Sequence, residues 1–136
     1  VLVGTEEDRP EALLFSRKAR TKPIDAVGRT NISRLAGLIA RCDALVAGDS
    51  APVHVAAAVG TPFVALFGPT DPGLHMPPAG PHRVIRKDIR CSPCYKPACY
   101  RGIKCMKQIK TEEVYAAVSE MMFRKREGSR AGAKRP

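Results

Sequence analysis

Residues 44–72, ALVAGDSAPVHVAAAVGTPFVALFGPTDP, decide the fold. The apolar run Ala44–Ala47 predicts a buried strand, and Gly48-Asp49-Ser50-Ala51-Pro52 turns the chain. Val53–Val59 predicts a helix that Gly60-Thr61-Pro62 breaks. Phe63–Phe67 is a second apolar strand, ended by Gly68-Pro69. Strand, turn, helix and strand make the βαβ unit of a parallel sheet. Ligands of such sheets gather at the carboxyl ends of the strands, which places Asp49, Ser50 and Thr70 at the expected binding edge.

Working outward, the 136 residues give room for one domain with a hydrophobic core, and a 44% hydrophobic share argues against wholesale disorder. Val1-Leu2-Val3-Gly4 reads as a strand already under way without an initiator methionine, so a fragment lacking its upstream part is expected. No signal peptide pattern is present, and no apolar run reaches the roughly 18 residues that span a bilayer. The expected setting is cytoplasmic.

Upstream of the βαβ unit, Thr5-Glu6-Glu7-Asp8 leads into a helix over about 9–20, with Leu13, Leu14 and Phe15 as its expected buried face. Ile24–Gly28 reads as a short strand or extended link. Thr30 or Asn31 caps a helix whose Ile32, Leu35, Ala36 and Ile39 recur at helical spacing. Arg34 and Arg41 face outward in that register. Downstream, 71–81 is rich in Pro and Gly and reads as a surface loop, and His82–Lys87 as a further strand. A closing helix is expected over about 111–126, with Val114, Ala117, Val118, Met121 and Met122 on one side. Residues 1–127 thus form the expected domain and 128–136 a flexible basic tail.

The net charge of +10 is unevenly spread. Residues 1–81 carry eight basic and eight acidic side chains, whereas 82–110 carry nine basic and one acidic. A localised basic patch selects for an anionic partner: a phosphorylated ligand, anionic lipid or nucleic acid.

Three chemistries compete. A helix beginning at Ser50-Ala51-Pro52 offers backbone N–H groups and a positive dipole end to a phosphate, with the Ser50 hydroxyl as a further donor and Asp49 as an acceptor for sugar hydroxyls. The bland counterpart is that Asp49 or Ser50 merely caps the helix and His54 is a satisfied core histidine. Gly48-Asp49-Ser50-Ala51-Pro52 also approaches the G-x-S-x-G elbow of serine hydrolases, but Pro52 replaces the last glycine and no late Asp-x-x-His follows. Cys91, Cys94, Cys99 and Cys105 lie within fifteen residues, a density that suggests a structural zinc. With Tyr95, Tyr100, Lys96 and Arg101 between them, a zinc-knuckle-like nucleic-acid module is the alternative. Met106 and Ile109 nevertheless look inward, and Cys42 reads as a core residue. Glu6, Glu7 and Asp8 follow the first strand; one can hold ribose hydroxyls, although acids at a helix start are common for dipole reasons alone.

Together, GDSAPVHVAAAVGTPFVALFGPTDP and CSPCYKPACYRGIKCM resemble the C-terminal half of the ADP-heptose:lipopolysaccharide heptosyltransferases, glycosyltransferase family nine, most of all the heptosyltransferase II type. The resemblance spans Val1 to about Phe123. It implies the donor-binding, Rossmann-like half of a GT-B enzyme: a parallel sheet with flanking helices. In that reading Asp49 contacts the heptose, Ser50 and the Ala51 amide hold the diphosphate, and His54 steadies the turn. Glu7 matches a ribose-binding carboxylate, Thr70 borders the pocket, and Ala51 stands where glycine is commoner. The implied reaction is inverting heptose transfer from ADP-heptose to the lipopolysaccharide inner core, with no metal needed for transfer. No catalytic residue is expected in this chain, because the family's base lies in an N-terminal acceptor-binding half absent from the sequence. The implied partners are the anionic core acceptor, that half, and the inner face of the bacterial inner membrane as a peripheral contact; nucleic acid is not expected.

Overall fold

In a computed structural model of the chain, the backbone is described for residues 1–132 and the side chains for residues 1–123. The chain divides into two compact units, Val1–Leu38 and a second from Ile39 onward.

In the first unit, Val1–Gly4 and Ile24–Gly28 run side by side in the parallel sense. Leu2 N donates to Ile24 O at 2.8 Å, Ala26 N to Leu2 O at 2.9 Å and Gly28 N to Gly4 O at 2.9 Å. The two expected strands therefore meet, but as a single bridge at Leu2 and Asp25. A 3-10 turn, Glu6–Asp8, leads into α1 (Arg9–Lys18), where Pro10 occupies the first turn as its missing N–H allows. Arg9 bonds Glu6 through Nε (2.9 Å) and Nη2 (2.8 Å), and reaches Asp25 through Nη1 at 2.8 Å. The expected apolar face of α1 is not buried: Leu13, Leu14 and Phe15 are about half exposed, and Ala12 is the buried residue. Three consecutive helical positions rotate by about 100° each, so they cannot share one face.

α2 (Ile32–Ala40) is capped by Asn31, whose Oδ1 accepts from Arg34 N at 2.9 Å. Ile39 is buried as expected, whereas Ile32 in the first turn is exposed; Arg34 and Arg41 do face outward.

The second unit carries the βαβ core. β1 (Leu45–Gly48), α3 (Ala51–Val59) and β2 (Phe63–Phe67) follow one another, with α3 starting two residues before the expected Val53. β3 (His82–Arg86) completes a parallel sheet of order β1-β2-β3 among the described residues. Leu45 pairs with Phe63 and Gly48 with Leu66; on the other side Phe63 pairs with His82 and Phe67 with Arg86. The 71–81 segment is not loop throughout: Asp71 Oδ1 accepts from Gly73 N at 3.0 Å and caps a single turn, α4 (Pro72–His75).

β2 is the centre of the core. Phe63, Val64, Ala65 and Phe67 have no exposed surface. Strand residues alternate between faces, and Val64 meets Ala117 and Met121 of the closing helix, with Leu66, Ile85 and Val118 packed around them. α3 lies against β1 and β2 and is rich in alanine; Val53 and Ala56 point inward. After α5 (Lys104–Lys107), the closing helix α6 runs Thr111–Gly132, past its expected end near 126 and into the stretch expected as tail. The tail's last residues, 133–136, lie outside the described residues.

Candidate functional site

Because all three strands are parallel, their carboxyl ends share one edge, where Gly48, Phe67 and Arg86 are the last strand residues. Asp49 and Ser50 follow β1 directly, and Gly68-Pro69-Thr70-Asp71 follows β2. The structure thus brings Asp49, Ser50, Ala51 and Thr70 to one edge of the sheet, as the sequence predicts.

The start of α3 is open. Ser50 sits at the N-cap with an extended backbone, yet its side chain makes no capping bond. Its Oγ instead donates to Gly48 O at 3.2 Å. Asp49 is half-buried, and among the described residues its carboxylate has no hydrogen-bond partner; neither has the Ala51 N–H. Ser50 and Ala51 are exposed to solvent. Backbone donors, a helix dipole and an unengaged carboxylate therefore lie together at the start of α3.

Thr70 adds an observation that spacing alone does not supply: its Oγ1 is buried without a partner. A buried hydroxyl left unpaired costs free energy, and a ligand acceptor at this edge is one way to recover it. Beside it, Asp71 Oδ1 lies 3.9 Å from Arg86 Nη1. His54 is exposed on α3 rather than a core histidine, because Val53 and Ala56 take the inward positions.

Glu7 belongs to the first unit and is exposed in the 3-10 turn. Its neighbours are committed. Glu6 is held by Arg9, which draws its carboxyl below the ordinary carboxylate value. Asp8 Oδ2 accepts from Thr5 N at 2.7 Å and Thr5 Oγ1 at 3.0 Å. Glu7 is the acid of the three whose carboxylate has no partner among the described residues.

The four thiols are not arranged as a zinc site: among the described residues, no three His, Cys, Asp or Glu side chains gather closely enough to hold a metal ion. Cys105 is buried against the sheet, where a Cβ on Gly68 would meet Met106 Sδ at 2.6 Å and Cys105 Sγ at 3.3 Å. Met106 does pack inward, as its sequence suggests. Cys99 is exposed, and its Sγ accepts from Ile103 N at 3.3 Å. The backbone amides of Ile103 and Arg101 draw this thiol below its ordinary value. Cys91 and Cys94 are half-buried. The segment is built instead as a cover for the end of β2. Ser92 Oγ donates to Gly68 O at 2.6 Å, and Cys94 N and Tyr95 N both donate to Pro69 O, at 2.8 and 2.9 Å. The Tyr95 hydroxyl accepts from Asp71 N at 3.2 Å, and its ring leans on His75 with centroids 5.8 Å apart.

A groove of about 400 Å³ lies elsewhere, between β3 and α6. Arg83–Glu120 (2.8 Å) and Lys87–Glu113 pair their charges across it, and Lys87 draws the Glu113 carboxyl below its ordinary value. None of the candidate residues lines this groove. The hydrolase alternative also lacks its parts: the bond made by Ser50 Oγ is to a backbone carbonyl, with no histidine beside it among the described residues.

The family model for glycosyltransferase family 9 (heptosyltransferase) matches residues 1–104. Lipooligosaccharide heptosyltransferase 2 of Haemophilus influenzae is 41% identical over 89 residues, covering 62% of this chain and 26% of that protein. Lipopolysaccharide heptosyltransferase 2 of Escherichia coli K12 is 46% identical over 59 residues, 43% of this chain and 17% of that one. Among solved structures, E. coli ADP-heptose lps heptosyltransferase II superposes with a TM-score of 0.74 at 26% identity, over 92% of this chain and 36% of that one. The glycosyl transferase family 9 structure from Veillonella parvula gives 0.76 at 27%, over 90% and 36%. The chain thus spans between about a sixth and just over a third of the length of these relatives. With a matching model over residues 1–104 and an α/β architecture shared with solved members, this chain belongs to glycosyltransferase family 9, the heptosyltransferases.

Proposed function

We propose that this chain is the nucleotide-sugar-binding half of a transferase that moves heptose from ADP-heptose to the inner core of a lipopolysaccharide or lipooligosaccharide. The observation that carries the reading is the uncapped start of α3: Asp49 without a partner among the described residues, Ser50 at the N-cap without a capping bond, and an unbonded Ala51 amide, all at the carboxyl edge of a parallel sheet.

The Ala51 N–H and the Ser50 hydroxyl hold the diphosphate, and the helix dipole opposes its charge. Asp49 accepts from heptose hydroxyls, Thr70 Oγ1 bonds the donor at the neighbouring strand end, and His54 steadies the turn. Glu7 is assigned to ribose hydroxyls on the family pattern. The transfer is inverting and single-step. The acceptor oxygen bonds to the anomeric carbon as the bond to the diphosphate oxygen breaks, ADP departs with the electron pair, and the acceptor proton passes to a base outside these residues. Donors aimed at the departing diphosphate stabilise the charge that gathers there, an electrostatic contribution rather than a covalent one. The acceptor is membrane-borne, so the enzyme works at the cytoplasmic face of the inner membrane as a peripheral protein.

Titration with ADP and with ADP-heptose, followed by amide NMR shifts and calorimetry, tests this. The Ser50 and Ala51 amides should move with both ligands. Asp49→Ala should weaken ADP-heptose by about tenfold or more while changing ADP little, since a hydrogen bond to a charged group is worth about 1.5–3 kcal/mol. Shifts centred on the β3–α6 groove, with the α3 start unmoved, would overturn the assignment.

A further inference from the structure

The cysteine-containing segment covers the end of β2 with one side and leaves the other to solvent. That outer side has a definite chemistry. From Arg90 to Lys110 the sequence holds six basic residues and no acidic one. Tyr100 is 76% exposed and stands between two of those cations, with Lys96 Nζ 5.2 Å and Arg101 Cζ 5.3 Å from its ring centroid. Arg101 Nε also donates to the Tyr100 hydroxyl at 3.2 Å. Next to this cluster Ile103 is 47% exposed and held at φ 50°, a left-handed conformation that a β-branched residue seldom adopts. The strain is held in place locally: Ile103 N donates to Cys99 Sγ, and Ile103 O accepts from Met106 N and Lys107 N, both at 3.0 Å. The turn starts α5, which carries the buried Cys105, and it leaves the aliphatic Ile103 side chain in water three residues from the Tyr100 ring.

We propose that this outer side, centred on Lys96, Tyr100, Arg101, Ile103 and Lys104, is a membrane-docking surface whose partner is an anionic phospholipid bilayer. Charge complementarity selects the partner. Cations near an anionic leaflet each contribute to attachment, while an amphipathic ring and an aliphatic tip settle at the boundary between headgroups and acyl chains. A single-stranded nucleic acid fits less well, because such sites stack successive bases on aromatic faces, whereas the exposed Ile103 offers an aliphatic tip. The surface is tied directly to the donor edge. Cys94 N, Tyr95 N and the Tyr95 hydroxyl bind the Pro69–Asp71 segment, so docking here would hold Thr70 and Asp71 close to the bilayer. The inference rests on the function proposed above only in taking the acceptor to be membrane-borne.

The test is sedimentation of the chain with vesicles of phosphatidylcholine alone and with 30% phosphatidylglycerol, at two salt concentrations, with an ADP titration of every variant in parallel. The chain should bind the anionic vesicles and not the neutral ones. Lys96→Ala, Arg101→Ala and Lys104→Ala combined should lower partitioning on the order of 100-fold, the effect of about three surface charges. Tyr100→Ser with Ile103→Ser should lower it about tenfold, with little dependence on salt. The same number of cations removed from the first unit, as Arg17→Ala, Lys18→Ala and Arg20→Ala, should matter far less. Equal binding to neutral vesicles, no loss in the Lys96/Arg101/Lys104 variant, an equal loss in the first-unit control, or displacement of vesicles by a single-stranded oligonucleotide overturns the proposal. For the unaltered chain, absent vesicle binding with ADP binding intact refutes this inference alone, and absent ADP binding with vesicle binding intact refutes the donor reading alone.

Discussion

α3 is nine residues long, and its two ends differ in every respect that matters. At the carboxyl end Gly60 takes the left-handed conformation (φ 73°), and its N–H reaches Ala56 O and Ala57 O. Thr61 N then donates to Ala56 O at 2.9 Å, and the Thr61 hydroxyl, 2% exposed, donates to Ile39 O at 2.9 Å. At the amino end the N-cap serine makes no cap, Asp49 is unpaired among the described residues, and Ser50 and Ala51 are exposed. One end is finished by the chain itself. The other has donors and an acceptor without partners, at the edge where a parallel sheet receives ligands. The difference separates residues that serve the fold from residues held for binding, and it makes separate predictions for each end.

The largest loss of stability is expected at the closed end from Thr61→Val. The valine keeps the shape but removes the hydroxyl, so Ile39 O keeps only the Cys42 N–H, at 3.0 Å, as its donor. Losing one buried hydrogen bond costs about 0.5–1.5 kcal/mol, read as a lower urea midpoint with an unchanged slope. A loss below about 0.5 kcal/mol would mean that the Thr61 hydroxyl is not held by Ile39 O in solution, and the closed end would not be closed.

Gly60→Ala comes next. No atom lies within 4 Å of the position its Cβ would take, so the cost is conformational alone. A left-handed alanine costs about 1–2 kcal/mol, partly offset by the lower entropy of the unfolded chain. Gly60→Asn should be milder, since asparagine tolerates this conformation at helix ends. Equal losses for the two variants would point to a hidden steric clash in place of a backbone preference.

How far the chain could be read in advance follows the same division. The βαβ core was legible because its apolar runs are bounded by Gly48, Gly60-Thr61-Pro62 and Gly68-Pro69, residues that stop helices and strands for local reasons. The open corner was legible as residue types at a strand end, but whether Ser50 was already spent as a cap depends on a side-chain torsion, which no sequence shows. The Thr70 hydroxyl was placed at the edge by its position; its burial without a partner arises from packing. Where sequence reading failed, adjacency was taken for direction. Leu13, Leu14 and Phe15 are neighbours in the chain but rotate around the helix, and the cysteines are close in sequence while the turns at Tyr95 and Ile103, both at positive φ, send their thiols to different surroundings. α4 was missed because its signal is the one Asp71 side-chain bond to Gly73 N.

The smallest effect on stability, and the most discriminating, is expected from Ser50→Ala. A serine that caps a helix loses about 0.5–2 kcal/mol on such a change, because an amide at the helix start loses its acceptor. Here the hydroxyl bonds Gly48 O on the exposed surface, so its removal should shift the unfolding midpoint by no more than about 0.5 kcal/mol, while affinity for ADP falls. A stable variant that binds ADP poorly assigns the hydroxyl to the ligand. A variant destabilised by more than about 1 kcal/mol with ADP affinity unchanged assigns it to the helix. In that case the amino end of α3 is finished by the chain just as the carboxyl end is, and the diphosphate must be held by other groups.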